Sequence, residues 1–152
     1  MPDIRQYRPD DFERLWKLDQ ACFSREIAYS RDELAYYLRA PRALCFVAEE
    51  DGEPVGFILG HQQRGRVGHV ITLDVAPQVQ RSGLGSILMK KLETSFAALG
   101  CDSLRLEVAV NNRPGLSFYK KHGFSVIKSL RRYYPGELDG LLLGKKLSTQ
   151  LL

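Results

Sequence analysis

The stretch Val75-Ala76-Pro77-Gln78-Val79-Gln80-Arg81-Ser82-Gly83-Leu84-Gly85 lies between an apolar run and a strongly periodic segment. Its chemistry is that of an anion cradle. Glycine removes the side chains that would block a phosphate, and the first-turn N–H groups of a helix have no intrahelical acceptor. Those groups and the helix dipole together favour a pyrophosphate, to which Arg81 adds a charge-assisted contact. The competing reading is a glycine-rich strand-to-helix turn without a ligand. Two other glycine loops do not fit, because the segment has neither GxxxxGK[ST] nor a complete GxGxxG.

Other reactive side chains form no recognisable set. His61, His69 and His122 show no metal-ligand spacing, and no histidine is near Glu107 in sequence. No metal and no catalytic triad are assigned. Cys22, Cys45 and Cys101 are odd in number and widely spaced, so they make neither a disulfide framework nor a CxxC metal site. They read as small core residues.

The elements that must position the loop follow from periodicity. Asp3 to Arg8 reads as a first strand, and Pro9-Asp10-Asp11 opens an amphipathic helix carrying Phe12, Leu15, Trp16, Cys22 and Phe23. Ser30, with Glu33 three residues on, makes a capping box for a second helix that stops before Pro41. Leu44 to Ala48 and Val55 to Leu59 flank the hairpin signal Asp51-Gly52, and Gln62 to Gly65 turns into a strand from Val70 to Val75. Leu84, Ile87, Leu88, Leu92, Phe96 and Leu99 then recur at helical spacing before Gly100. Leu104, Leu106, Val108 and Val110 alternate with Arg105, Glu107 and Ala109. A short helix from Pro114 to Gly123 and two strands, Phe124 to Leu130 and about Leu141 to Leu147, complete an α/β (α+β) pattern with a mixed sheet and packed helices.

The chain has 152 residues, 44% of them hydrophobic and 26% charged, and residues 1–152 are expected to form one domain. Lys plus Arg number 22 against 18 Asp plus Glu, a net +4 that suits an anionic small ligand or simply a solvated surface. There is no dense basic stripe with interleaved aromatics, so no nucleic-acid partner is expected. No apolar run approaches the roughly 18 residues of a membrane helix. The charged start, Met1 to Arg5, is unlike a signal peptide. A cytoplasmic protein without a membrane partner is the expectation; its oligomeric state is left open.

Gln80-x-x-Gly83-x-Gly85 after Val75-x-Pro77 resembles the acetyl-CoA loop of the GNAT N-acetyltransferases. Leu106-Glu107-Val108, Asn111-Asn112, Leu116-Ser117-Phe118-Tyr119 and Gly123-Phe124 are similar to that family's fifth strand, fourth helix and following strand. Within the family the match resembles the RimI-like branch, whose members acetylate protein N-terminal amines. The resemblance implies a mostly antiparallel twisted sheet, splayed between its fourth and fifth strands, with helices on both faces. It also implies acetyl-CoA as co-substrate, bound by Val75, Gln80, Arg81, Ser82, Gly83, Leu84, Gly85 and Asn112.

The resemblance further implies the reaction. An ammonium ion has no lone pair, so the acceptor amine must lose a proton before it attacks a thioester, and Glu107 falls where the branch has its general base. On strand alternation alone Glu107 is a solvated carboxylate. A backbone N–H near Val75 would polarise the acetyl carbonyl. Tyr119 would protonate the leaving thiolate, or else is an aromatic core residue. Asn112 would hold the pantetheine arm or cap the helix start. Tyr133 and Tyr134, within a loop Arg131 to Pro135, would wall a peptide N-terminus or pack the loop down. Two segments depart from the branch: Leu138-Asp139-Gly140 stands where Glu-Asp-Ala is usual, and Cys22 to Ile27 where a Pro-Trp pair is common. Both segments would help form the acceptor wall; the expected acceptor is the N-terminal α-amine of a peptide or protein, and the alternative is a small amine such as a polyamine, amino acid or aminoglycoside. A non-catalytic acyl-CoA-binding regulator would have no use for Glu107 and Tyr119.

Overall fold

The computed structural model describes residues 2–147. The chain begins with β1 (Asp3–Gln6), α1 (Phe12–Cys22) and α2 (Arg31–Arg39). A meander of β2 (Ala43–Glu50), β3 (Glu53–Gln63) and β4 (Val67–Val75) follows. The second half runs α3 (Leu84–Ala98), β5 (Ser103–Ala109), α4 (Arg113–Lys121), β6 (Ser125–Tyr134) and β7 (Leu138–Lys146). The strands make one sheet in the order β1-β2-β3-β4-β5-β7-β6, antiparallel everywhere except between β4 and β5. Among the described residues no helix is long and apolar enough to cross a membrane.

Local chemistry sets several boundaries. The β2–β3 hairpin turns on Asp51 and Gly52, both at positive φ (53° and 79°), the pairing a two-residue turn demands. At the start of α2, Ser30 Oγ accepts the Glu33 N–H at 3.1 Å and Glu33 accepts the Ser30 N–H at 2.9 Å. Asp11, almost fully buried, receives two 2.8 Å bonds from the Arg5 guanidinium, which tie β1 to the turn before α1.

The helices cover both faces of the sheet. Leu84, Leu88, Leu92 and Phe96 of α3 pack with Phe46, Ile58, Val70, Leu104 and Leu106 on one side. Leu15 and Leu18 of α1 and Leu34 of α2 pack with Val47, Phe57 and Leu59 on the other. The central strands are therefore apolar on both faces, which is why β2 and β3 read as continuous runs rather than alternating ones.

One irregularity shapes the molecule. Leu59 pairs with Thr72 while Gly60 pairs with Val70, so β4 carries an extra residue at Ile71. A bulge of this kind bends its strand and re-aims the side chains beyond it. The parallel ladder to β5 stops at the same level, after Val67–Ser103, Gly68–Leu104 and His69–Arg105. Beyond these three pairs the strands diverge, the splay implied by the family resemblance.

Several boundaries differ from the sequence reading: β1 ends at Gln6 rather than Arg8, β4 begins at Val67 rather than Val70, and β7 begins at Leu138 rather than Leu141. β3 runs through Gln63, and the turn is Arg64–Arg66, since His61, Gln62 and Gln63 still pair with His69, Gly68 and Val67 on β4. The segment expected as a loop from Arg131 is instead the end of β6, which pairs Tyr134 with Leu138 across an irregularity after Leu130. Asp139 Oδ1 accepts the Arg132 N–H at 2.9 Å and braces that irregularity, with Arg132 at φ 50°.

Candidate active site

The parting of β4 and β5 opens a cleft of about 570 Å³. Its floor is Ile71, Thr72 and Leu73 of β4 and Glu107, Val108 and Ala109 of β5. One wall is the α1–α2 connection with Tyr37 of α2; the other is Tyr133, Tyr134 and Pro135, with Asn112 and Tyr119 at the α4 end. The structure thus brings Glu107, Tyr119, Asn112, Tyr133 and Tyr134 together. Val75 and the Gln80–Gly85 loop lie further along β4, at the entry to α3.

Leu104, Leu106 and Val108 face α3, so alternation turns Glu107 to the opposite side, into the cleft. Its carboxylate is about one-fifth exposed and meets His69 Nε2 at 2.6 Å. Gln63 Nε2 lies 3.3 Å from His69 Nδ1. With the Gln63 amide at Nδ1, Nε2 is the ring nitrogen that donates to Glu107. Sequence reading passed over His69 because its partner is 38 residues away. The available signal was its place on β4, beside the strand that carries Glu107.

Tyr119 packs edge-on between Phe118 and Phe124, with ring centroids 5.4 and 5.7 Å away. Burial pushes its phenol well above the ordinary tyrosine range, so the hydroxyl remains protonated at neutral pH. Asn112 caps α4, its Oδ1 accepting the Gly115 N–H at 3.0 Å, and it also lines the cleft. The rings of Tyr133 and Tyr134 stand nearly perpendicular, 4.9 Å apart.

Tyr29 and Tyr37, absent from the sequence expectations, complete the aromatic wall at a centroid distance of 5.4 Å. Tyr29 is held at four points. Its N–H donates to Asp19 (2.8 Å), its carbonyl accepts from Trp16 (3.2 Å) and Gln20 (2.7 Å), and its hydroxyl donates to the Ile71 carbonyl (3.3 Å).

At the other end, the Ala76 N–H bonds to Val55 on β3. Alternation along the strand therefore turns the Val75 N–H away from β3, onto the open edge. The Val75 carbonyl accepts from Gln80 Nε2 (3.0 Å) and Cys22 Sγ (3.2 Å), the thiol being pushed up to about 12 by burial. Ser82 Oγ donates to the Val79 carbonyl at 2.6 Å. Gln80 and Ser82 thus use their side chains to hold the loop, and Leu84 is 2% exposed, leaving only its backbone for a ligand.

Gly83 precedes α3 at φ +88°, and a Cβ there would meet nothing within 4 Å. Space lies open over the first turn of α3, whose N–H groups have no intrahelical acceptor. Exposed Arg81, also at positive φ (66°), flanks it. Gly85 differs: a Cβ there would press on Phe118 at 3.3 Å, so this glycine lets α4 approach. The open turn and the unpaired strand edge continuous with it offer backbone N–H groups that could hold the diphosphate and amide-bearing arm of a CoA thioester.

Comparison with known proteins agrees with this geometry. Residues 10–124 match the acetyltransferase (GNAT) family model. The chain is 30% identical to the N-alpha-acetyltransferase of Sulfurisphaera tokodaii, over 95% of this chain and 92% of that protein. Its fold is similar to that of the ribosomal-protein-S18-alanine N-acetyltransferase of Escherichia coli, with a TM-score of 0.87 and 24% identity over 97% of this chain and 95% of the other. Chaetomium thermophilum Naa20, solved with a bisubstrate analogue, is similar at TM-score 0.82 and 26% identity, over 98% and 88% of the two chains. The chain belongs to the acetyltransferase (GNAT) family and is an acetyl-CoA-dependent N-acetyltransferase.

Proposed function

We propose that the protein acetylates the N-terminal α-amine of a protein or peptide, with Glu107 as general base. The observation that carries this reading is the position of Glu107. It stands at the fork of β4 and β5, in a cleft whose opposite walls carry Tyr29 and Tyr37, and Tyr133 and Tyr134. Such a slot admits an extended chain end between aromatic faces. The similarity to the Sulfurisphaera N-alpha-acetyltransferase, which spans nearly both chains, supports the same acceptor class.

Acetyl-CoA, when bound, supplies the activated acyl group as a thioester. Glu107 takes a proton from the acceptor ammonium, directly or through one water, and leaves the amine nucleophilic. His69 fixes the carboxylate by donating to Oε1, leaving the other oxygen for the proton. The Val75 N–H donates to the acetyl oxygen as negative charge develops there. The Tyr119 hydroxyl donates to the sulfur as the thiolate departs. Its raised pKa makes it a persistent hydrogen-bond donor and a weak acid. The first turn of α3, Arg81 and the backbone around Gly83 take the phosphates. Asn112 stabilises the start of α4 beside the cleft.

The test is CoA release from acetyl-CoA against two sets of acceptors. One set is peptides with varied free N-termini; the other is polyamines, aminoglycosides and amino acids. Turnover confined to peptides supports the reading and identifies the preferred first residue. Turnover confined to small amines keeps the mechanism and replaces the acceptor. Acetyl-CoA binding with no turnover on either set points to a regulator.

A further inference from the structure

Beneath the acceptor wall lie two carboxyl groups that the reaction does not use. Asp19 of α1 and Asp74 of β4 are both 0% exposed. They lie within hydrogen-bonding reach of one another. One oxygen of each is accounted for: Asp19 Oδ2 accepts the Tyr29 N–H at 2.8 Å, and Asp74 Oδ1 accepts from Thr72 Oγ1 at 2.6 Å. The remaining two, Asp19 Oδ1 and Asp74 Oδ2, are buried without a donor. Two carboxylates cannot satisfy each other, whereas one carboxylic acid and one carboxylate can.

The surroundings agree. Among the described residues, Cys22 of α1, Glu33 of α2, Cys45 of β2, Tyr119 of α4 and Tyr29 interact with the pair, and none of these five is a cation. Asp74 sits one residue before Val75, and Asp19 holds the backbone of Tyr29. The pair therefore links the strand that faces the acetyl group to the loop that faces the acceptor.

We propose that Asp19 and Asp74 share a single proton and that this bridge positions the Tyr29 wall of the acceptor cleft. The proposal rests on the N-terminal acceptor reading for its kinetic consequence only. Loss of the proton sets two buried anions against each other, pushes α1 from β4 and loosens Tyr29, while the phosphate-binding turn before α3 is untouched. Asp74 and Asp19 are positioning residues in this scheme. Raising the pH weakens acceptor binding and spares acetyl-CoA binding.

The experiment compares the parent with Asp74→Asn and, in case that variant folds poorly, Asp19→Asn. An asparagine amide donates the bridging hydrogen bond without a titratable proton. The infrared band of a neutral carboxylic acid is expected in the parent at pH 7 and absent from either variant. The hydrogen-exchange protection factor of the Tyr29 amide is expected to fall with rising pH in the parent and stay level in the variants. The ratio of parent to variant KM for an acceptor peptide is expected to climb several-fold from pH 7 to pH 9, with the KM for acetyl-CoA unchanged. Absence of the acid band at pH 7, or the same pH response of Tyr29 in parent and variants, overturns the bridge. Failure of every peptide to react overturns the acceptor reading instead, and the infrared and exchange data then decide the bridge without it.

Discussion

His69 Nε2 and Glu107 Oε1 meet at 2.6 Å across the fork where β4 and β5 separate. His69 belongs to the last paired level of the parallel ladder, and Glu107 lies two residues past its partner Arg105. The contact spans the base of the cleft and orients the carboxylate of a residue that is paired to β7 on one side and has no ladder partner on the β4 side.

Glu107→Gln keeps the size and a hydrogen-bond acceptor for His69 but removes the proposed base. Turnover should fall about 10²- to 10⁴-fold, the usual contribution of general-base assistance. Acetyl-CoA affinity, measured by calorimetry, should not change. Full activity in this variant removes Glu107 from the mechanism.

His69→Ala deletes a hydrogen bond to a charged group, worth about 1.5–3 kcal/mol. If the whole of that is lost in the transition state, kcat drops about ten- to hundredfold, less than for Glu107→Gln. Rescue of part of the loss by His69→Gln, whose amide can donate to the carboxylate, separates orientation from proton transfer.

Tyr119→Phe retains the aromatic packing against Phe118 and Phe124 and removes only the hydroxyl. Thermal stability should stay near the parent while kcat decreases and the acceptor KM stays level. A thioester with a more acidic leaving thiol should narrow the gap between parent and variant, because it needs less help in departing.

Gly83→Ala places a side chain at φ +88°, where an L-residue is disfavoured by about 1–2 kcal/mol, and should lower the melting temperature slightly. Gly83→Trp should cost acetyl-CoA affinity far more than stability, since the space above Gly83 is open. Direct binding measurements on both variants distinguish backbone strain from a blocked site.

The Asp19–Asp74 pair also predicts the pH dependence of folding. The pair holds a proton in the native state well above the ordinary aspartate range, because burial penalises its second charge. The unfolded chain releases that proton near pH 4, so the native state binds more protons and stability declines as pH rises from there through the native pKa. Asp74→Asn should flatten this decline and melt higher than the parent at pH 8. Melting curves between pH 5 and 9 provide the check.

The order of elements was legible because both halves of the chain carry strong periodic signals. The helix from Leu84 and the alternation from Leu104 to Val108 required nothing beyond hydropathy, and the glycine turn announced the α3 entry. The long-range consequences were hidden. The bulge at Ile71 leaves no composition mark, so neither the inward turn of Thr72 and Asp74 nor the nearness of His69 to Glu107 could be counted along the chain. Asp19 occupied a helix position that patterning treats as polar and exposed, yet it is fully buried. Tyr29 and Tyr37 carry no spacing signal of their own, and only the fold places them in the same cleft as Tyr133 and Tyr134. The strand ending at Tyr134 was obscured by the irregularity after Leu130, which breaks the alternation that would have extended it.

The short ladder between β4 and β5 sets a conflict between durability and turnover. Only three residue pairs join two half-sheets that each carry much longer ladders. Deleting the extra residue at Ile71 would restore strand regularity and let pairing continue past His69, adding hydrogen bonds where there are now bare edges. Such a variant would melt later and catalyse poorly, because the added rungs would occupy the place of both reactants. A selection for heat resistance alone would be expected to zip this seam shut.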